Sequence, residues 1–255
     1  MPELLHRTEN GLDLPYLVWR LPAGTRVVSS AVHGGGIGPR RWILNAQVEP
    51  GYRRLDPAEH LVELAVTAGL DPDQGVGLLT AADVDDWRSA ADGGVAVAAT
   101  VGVRVPTWAA WPEGEPDPDL DQRSHRATTA TSGGTRPGTI NIVALLPVEV
   151  SDAALVNLVA TATEAKTQAL LDAGVPGTGT ATDVVCIVAT TEPASAASLE
   201  VGIEPIEPAE LFGGPRSVWG ARLGRAVHAA VLAGTHGSLA RMGVPEIDRA
   251  MRRSR

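Results

Sequence analysis

The sequence of 255 residues predicts an α+β protein with α/β-like units: a mixed, largely antiparallel sheet layered with helices. It further predicts an internal pseudo-duplication of a strand-helix-strand unit. Three observations carry this. Valine- and isoleucine-rich runs of strand length are separated by Gly/Pro turn signals along most of the chain. Segments with a 3.6-residue apolar period interrupt them near 56–70, 151–172 and 217–233. The third is composition: 28 Gly and 19 Pro against six Trp, two Tyr and one Phe fit tight turns packed through small side chains. Nothing divides the chain, so residues 1–255 read as a single domain with a long loop at about 107–136.

Residues 14–21 and 26–32 read as two strands, and Pro22, Ala23 and Gly24 between them have the turn chemistry of a hairpin. Ser29, Ser30 and His33 then lead into Gly34, Gly35, Gly36 and Gly38. Such a run lets backbone N–H groups approach a ligand closely, or it makes a hairpin turn; it has the spacing of neither a P-loop nor a dinucleotide fingerprint. Residues 42–48 form a third strand with Asn45 at its middle. Asp56 and Pro57 open a helix whose apolar face carries Leu61, Leu64, Ala65 and Ala68. A short buried strand at 75–79 runs into T-A-A-D-V at 80–84, and 94–105 is a valine-rich strand. The 107–136 segment has no period and is rich in Pro, Asp, Ser and Gly. Trp108 and Trp111 at its root either cover a flat ligand or anchor the loop, while His125 reads as solvated.

The centre of the chain is 137–188. The apolar run at 139–146 begins with two hydrogen-bonding side chains, Thr139 and Asn141, directly after Gly138. Ser151 caps the next helix, Asp152 complements its dipole, and Gly174 and Pro176 stop it. At about 100° per residue, Leu155, Leu158, Ala162, Ala165, Ala169 and Leu170 share one stripe, and Lys166 lies inside it while Glu164 faces the opposite way. An ammonium there either snorkels to water or is held by a carboxylate, Asp183 being the nearest in sequence. A Thr/Gly loop feeds the second buried strand at 183–189. T-A-T-D-V at 180–184 repeats T-A-A-D-V, pairing Asn141 and Asp183 with Asn45 and Asp83 and gathering polar groups at a shared centre. The last periodic helix, 217–233, has Val218, Trp219, Leu223, Val227 and Val231 inward. Gly220 and Gly224 allow it close to the sheet, and His228 lies on its flank.

A net charge of −9 leaves no basic stripe for nucleic acid. No apolar run is long enough to span a membrane, and the first residues lack the regions of a signal peptide, so a cytoplasmic protein is expected. The single cysteine, Cys186, lies in an apolar strand and reads as an inert buried thiol.

With these residues in view, the chain resembles the adenosylcobinamide amidohydrolase family of corrinoid salvage. The shared blocks occur in order over most of the chain: S-S-A-V with its glycine run, I-L-N, the Asp56-Pro57 helix, G-L-L-T-A-A-D, T-V-G-V, P-G-T-I-N, T-A-T-E-A-K, G-T-G-T followed by T-D, and W-G-A-R-L-G-R-A-V. The 107–136 loop is longer than the family pattern. The resemblance implies hydrolysis of the amide between the corrin propionyl side chain and aminopropanol of adenosylcobinamide, giving adenosylcobyric acid. A non-catalytic corrinoid carrier is the alternative. Amide hydrolysis needs an activated water or nucleophile, an oxyanion stabiliser and an acid for the leaving amine. Asp183 is the candidate base, Lys166 and Asn141 the oxyanion stabilisers. Glu164 is shared with the family, and Thr139 after Gly138 also permits a self-cleaved N-terminal nucleophile. Ser29, Ser30, His33, Gly34, Gly35, Asn45, Thr80, Asp83, Thr180 and Thr182 are the candidate substrate-binding residues. No metal ligand set stands out and no cofactor is expected, the cobalt being the substrate's own. The corrinoid is the expected partner; the oligomeric state is open, a homodimer included.

Overall fold

A computed structural model describes residues 1–49, 51–115, 138–190 and 210–244. Two mixed sheets are stacked between helices. The first is built of β1 (Glu3–Glu9), β2 (Leu12–Arg20), β5 (Trp42–Gln47) and β6 (Gly75–Thr80), in the order β1-β2-β5-β6. The second has the order β4-β3-β10-β9-β8-β7, from β3 (Arg26–Ser29), β4 (Gly36–Pro39), β7 (Arg88–Asp92), β8 (Val95–Val101), β9 (Ile140–Leu146) and β10 (Val184–Ala189). Each sheet is antiparallel except for one parallel pair, β5 with β6 and β9 with β10. Those pairs are the ones joined through a helix, α1 (Pro57–Thr67) and α2 (Asp152–Ala173), because a parallel neighbour needs a crossover. The third helix, α3 (Val218–Arg241), packs beside α2.

Strand periodicity divides the core into three slabs. Tyr16, Val18, Trp42 and Leu44 meet Leu61, Leu64 and Ala65 of α1. Their alternates Leu17, Trp19 and Ile43 face Val143, Cys186 and Val188 across the sheet-sheet interface. Ile140, Ile142, Val185 and Ile187 point the other way, onto Leu155, Leu158 and Leu170 of α2 and Leu223 and Val227 of α3. The layers therefore run α1, sheet, sheet, α2 with α3.

The helix signals at α2 are as expected: Ser151 Oγ accepts from Ala154 N at 3.1 Å, and Gly174 closes the helix at φ 82°. The expected hairpin of 14–21 with 26–32 is not formed. The turn exists, with Thr25 N donating to Pro22 O, but β2 is hydrogen-bonded on its two edges by β1 and β5, and β3 crosses into the second sheet between β4 and β10. An apolar strand buried on both faces carries no sign of which sheet it joins. The last helix runs to Arg241 rather than ending near 233, since Gly234 lies flat on β8, where a Cβ would come within 2.6 Å of Val101 Cγ2. Gly220 and Gly224 face the 213–214 loop and Thr161 of α2, not the sheet. Of the long loop, residues up to 115 are described; Thr107 N bonds to Gly179 O at 2.8 Å and Trp111 N to Trp108 O. His125 lies outside the described residues. Among the described residues no helix is long and apolar enough to cross a membrane.

Candidate active site

A cavity of about 640 Å³ opens where the C-terminal ends of β5 and β6 meet the start of β9 and β10. Its wall includes Thr80, Asp83, Thr139 and Thr182, with Tyr52, Arg54, Arg104 and Arg241 around them. The start of β9 brings Thr139 there because odd residues of that strand face the other sheet. The Thr139 and Thr182 hydroxyls are 2.9 Å apart.

Behind this wall, Lys166 is 6% exposed and its ammonium lies 2.5 Å from Asp183 Oδ2, so the helical stripe ends in a buried ion pair rather than in water. The same oxygen accepts from Thr180 N at 3.0 Å, and Oδ1 accepts from Thr180 Oγ1 at 2.5 Å and Ile140 N at 2.9 Å. Gly179 makes room: a Cβ there would fall 2.3 Å from Asp183 Oδ2 and 2.5 Å from Lys166 Nζ. Four donors fill the lone-pair directions of one carboxylate, so Asp183 has none left to take a proton from water. It clamps the first residue of β9 to the loop before β10, and thereby sets Thr139 and Thr182. Asp83, its counterpart in the repeated T-A-x-D-V, is exposed in the cavity wall. Only Asp83 Oδ1 is engaged, by Asp85 N at 3.1 Å, among the described residues. The two copies of the pentapeptide thus end in different chemistry, one carboxylate saturated and one open.

Asn141 is buried between the sheets, where its Nδ2 donates to Asn45 Oδ1 at 2.8 Å and to Leu79 O at 2.9 Å. Asn45 Nδ2 passes the chain on to Thr100 Oγ1 at 3.0 Å. This polar seam joins the sheets beneath the cavity; neither asparagine, nor Lys166 or Asp183, is in the wall. Thr80 Oγ1 accepts from Ala82 N at the cavity. Glu164 is exposed on the far side of α2, in a smaller concavity with Gln168, Arg225 and His228, so the helix separates it from Lys166.

Ser29, Ser30, His33, Gly34 and Gly35 are not brought to the cavity wall either. Ser29 Oγ accepts from Ala31 N and Ser30 Oγ from Val185 N. His33 stacks on Trp42 with ring centroids 5.9 Å apart. Gly34 sits at φ 66°, where a Cβ would lie 1.8 Å from Gly75 O. The carbonyls of Gly34 and Gly35 face the Arg40 guanidinium. The glycine run is a β3-β4 hairpin turn pressed against β6, with carbonyls rather than N–H groups turned to a charge.

Sequence reasoning missed Tyr52, Arg54 and His60. Arg54 is held by Asp56 and Glu63, and those hydrogen bonds raise its proton affinity and bring the Asp56 carboxyl down to about 2. Burial raises the Tyr52 hydroxyl and lowers the His60 imidazole. His60 was legible as the residue before Leu61 on the apolar face of α1. Cys186 is fully buried, which pushes its thiol up to about 12. Among the described residues no group of three or more His, Cys, Asp or Glu is placed to hold a metal ion.

These features define a four-layer α/β/β/α protein with a cavity lined by hydroxyls, guanidiniums and the carboxylates of Glu49 and Asp83. The family model described as adenosylcobinamide amidohydrolase matches residues 1–242, and the chain belongs to that family. A relative from Halobacterium salinarum, named adenosylcobinamide amidohydrolase, is 39% identical over 157 residues, which cover 61% of this chain and 63% of the relative. The chain thus aligns with less than two thirds of that relative's length. The crystal structure of the PH0078 protein from Pyrococcus horikoshii OT3 aligns at a TM-score of 0.39 and 14% identity, covering 94% of this chain and 83% of that one.

Proposed function

We propose that the protein hydrolyses the amide between the corrin propionyl side chain and aminopropanol of adenosylcobinamide, yielding adenosylcobyric acid for cobalamin salvage in the cytoplasm. The observation that carries the reading is the family match over nearly the whole chain. The cavity supports it by size, since about 640 Å³ suits a polar side arm with its amide while the macrocycle stays at the mouth. The cobalt in this reading is the substrate's, and the protein supplies no cofactor.

The residues divide the work. Of the hydrogen-bonded hydroxyls of Thr139 and Thr182, one donates to the other and the remaining O–H is the donor for the carbonyl oxygen as it becomes an oxyanion; Lys166 with Asp183 fixes their position from behind. Asp83 accepts from the hydroxyl or the amine of the aminopropanol portion. The experiment is detection of free aminopropanol, by an amine-reactive label, when purified protein is incubated with adenosylcobinamide. Release that depends on Thr139 supports the reading. No release over many turnover-equivalents of time, with the corrinoid still bound, leaves the carrier function in its place.

A further inference from the structure

Beside the cavity, three titratable side chains from three parts of the chain form a line that the reading above does not use. Glu9 at the end of β1 places Oε1 at 3.1 Å from His60 Nε2, and His60 Nδ1 is 2.9 Å from the Tyr52 hydroxyl. His60 is only 2% exposed although it carries a titratable ring, and Tyr52 is in the cavity wall. Glu9 is itself fixed, because Arg7 Nε and Nη2 hold its other oxygen at 2.9 and 2.6 Å and Nη2 also donates to Gln47 O. The ring of Tyr52 stacks on His60 with centroids 5.4 Å apart.

The hydrogen-bond inventory sets the direction of this line. An ionised carboxylate only accepts, so His60 Nε2 carries the proton facing Glu9; burial, which disfavours a charged imidazole, leaves Nδ1 as an acceptor. The Tyr52 O–H then points at Nδ1, which leaves the oxygen's lone pairs free to accept from the cavity that Tyr52 lines. A solvated tyrosine capping a core histidine would need neither the half-buried, arginine-held carboxylate behind it nor the cavity in front.

We infer that Glu9, His60 and Tyr52 form a proton relay whose cavity end, the Tyr52 oxygen, takes the proton of the water that attacks the substrate amide. This rests on the amidohydrolase reading. As the water oxygen bonds to the carbonyl carbon, its proton passes to Tyr52 and the Tyr52 proton passes to His60 Nδ1. The imidazolium is stabilised by Glu9. Return of the proton by the same path to the amide nitrogen accompanies cleavage of the C–N bond, releasing the amine and the acid with no other reactant consumed. Tyr52 is the catalytic residue of the three; His60 and Glu9 are positioning residues. The charged groups facing His60 are Glu9 and Arg7 from β1, Arg54 and Asp56 from the preceding loop, and Glu63 from α1.

Tyr52→Phe keeps the stacked ring and removes the relay end. It is expected to lower kcat by ~10²–10⁴-fold, with KM within about threefold of wild type and a modestly lowered Tm, since the buried His60 Nδ1 loses its donor. Glu9→Gln removes the carboxylate that raises His60's proton affinity, so the acidic limb of the kcat profile shifts to lower pH. A purely structural Glu9 would leave that limb in place. Nitrogen NMR of His60 in the full chain reads the same line without turnover: the Nε2–H tautomer is expected, and the Nδ1 resonance moves in Tyr52→Phe. An Nδ1–H tautomer overturns the relay whether or not the wild type is active. So does a Tyr52→Phe protein that turns over within threefold of an active wild type. A wild type that releases no aminopropanol but shows the expected tautomer overturns the proposed function and, with it, the relay's catalytic use.

Discussion

Replacing Lys166 by Met keeps the stem on the apolar stripe of α2 and deletes the ammonium, leaving Asp183 buried with three donors instead of four. Removing one partner of a buried pair costs ~3–5 kcal/mol. The remaining bonds from Thr180 N, Thr180 Oγ1 and Ile140 N place Lys166→Met near the lower end, about 3 kcal/mol. For a chain of this size that is a fall of roughly 6–12 °C in Tm. Asp183→Asn is expected to cost more, about 4–5 kcal/mol, because it strands the ammonium and turns an amide NH₂ toward donors. The double variant should lose less than the sum by about 1–3 kcal/mol, since the two changes remove one interaction. Thermal and urea unfolding of the four proteins give all three values. A Lys166→Met protein that melts within about 2 °C of wild type, or strict additivity, refutes the pair as the clamp between β9 and β10.

Thr139→Val retains volume and removes the hydroxyl at the cavity; turnover should fall ~10²–10³-fold with little change in Tm, the span for one oxyanion donor. Gly34→Ala should destabilise by at least about 1–3 kcal/mol, because φ 66° and the Gly75 carbonyl 1.8 Å from the new Cβ both oppose it; urea unfolding measures it. The folded-state proton affinity of His60 is depressed by burial. Its stability contribution is therefore complete above the ordinary histidine value near ~6.5 and is lost as pH falls from there toward the folded-state value. Wild-type stability should therefore fall as the pH drops below the ordinary histidine value near ~6.5, and His60→Gln should flatten that fall.

How far these elements were legible depended on what each residue's neighbours contribute. The α2 cap, its stop at Gly174 and the inward Lys166 follow from local chemistry and a single helical period, and they stand as read. The fold class followed from strand and helix periods in the same way. Sheet membership did not: β2 and β3 are apolar on both faces, and only their partners reveal that one joins each sheet. The glycine run invited a cradle reading because a sequence shows that backbone can approach closely but not what it approaches, here Gly75 O and Arg40. In the candidate site, Thr139, Thr182, Thr80 and Asp83 reach one cavity, whereas Asp183 and Lys166 lie behind it. That difference comes from the four donors around Asp183, a count no spacing contains. Tyr52 and His60 are eight residues apart, but Glu9 comes from β1, distant in the chain and without a strong strand signal.

The most direct test of the central claim is the mass of the corrinoid after incubation of adenosylcobinamide with the purified full chain. The account predicts conversion to a species that has lost aminopropanol and gained a free carboxylate, in amounts far exceeding the protein. A corrinoid recovered at unchanged mass after prolonged incubation with folded protein would contradict it.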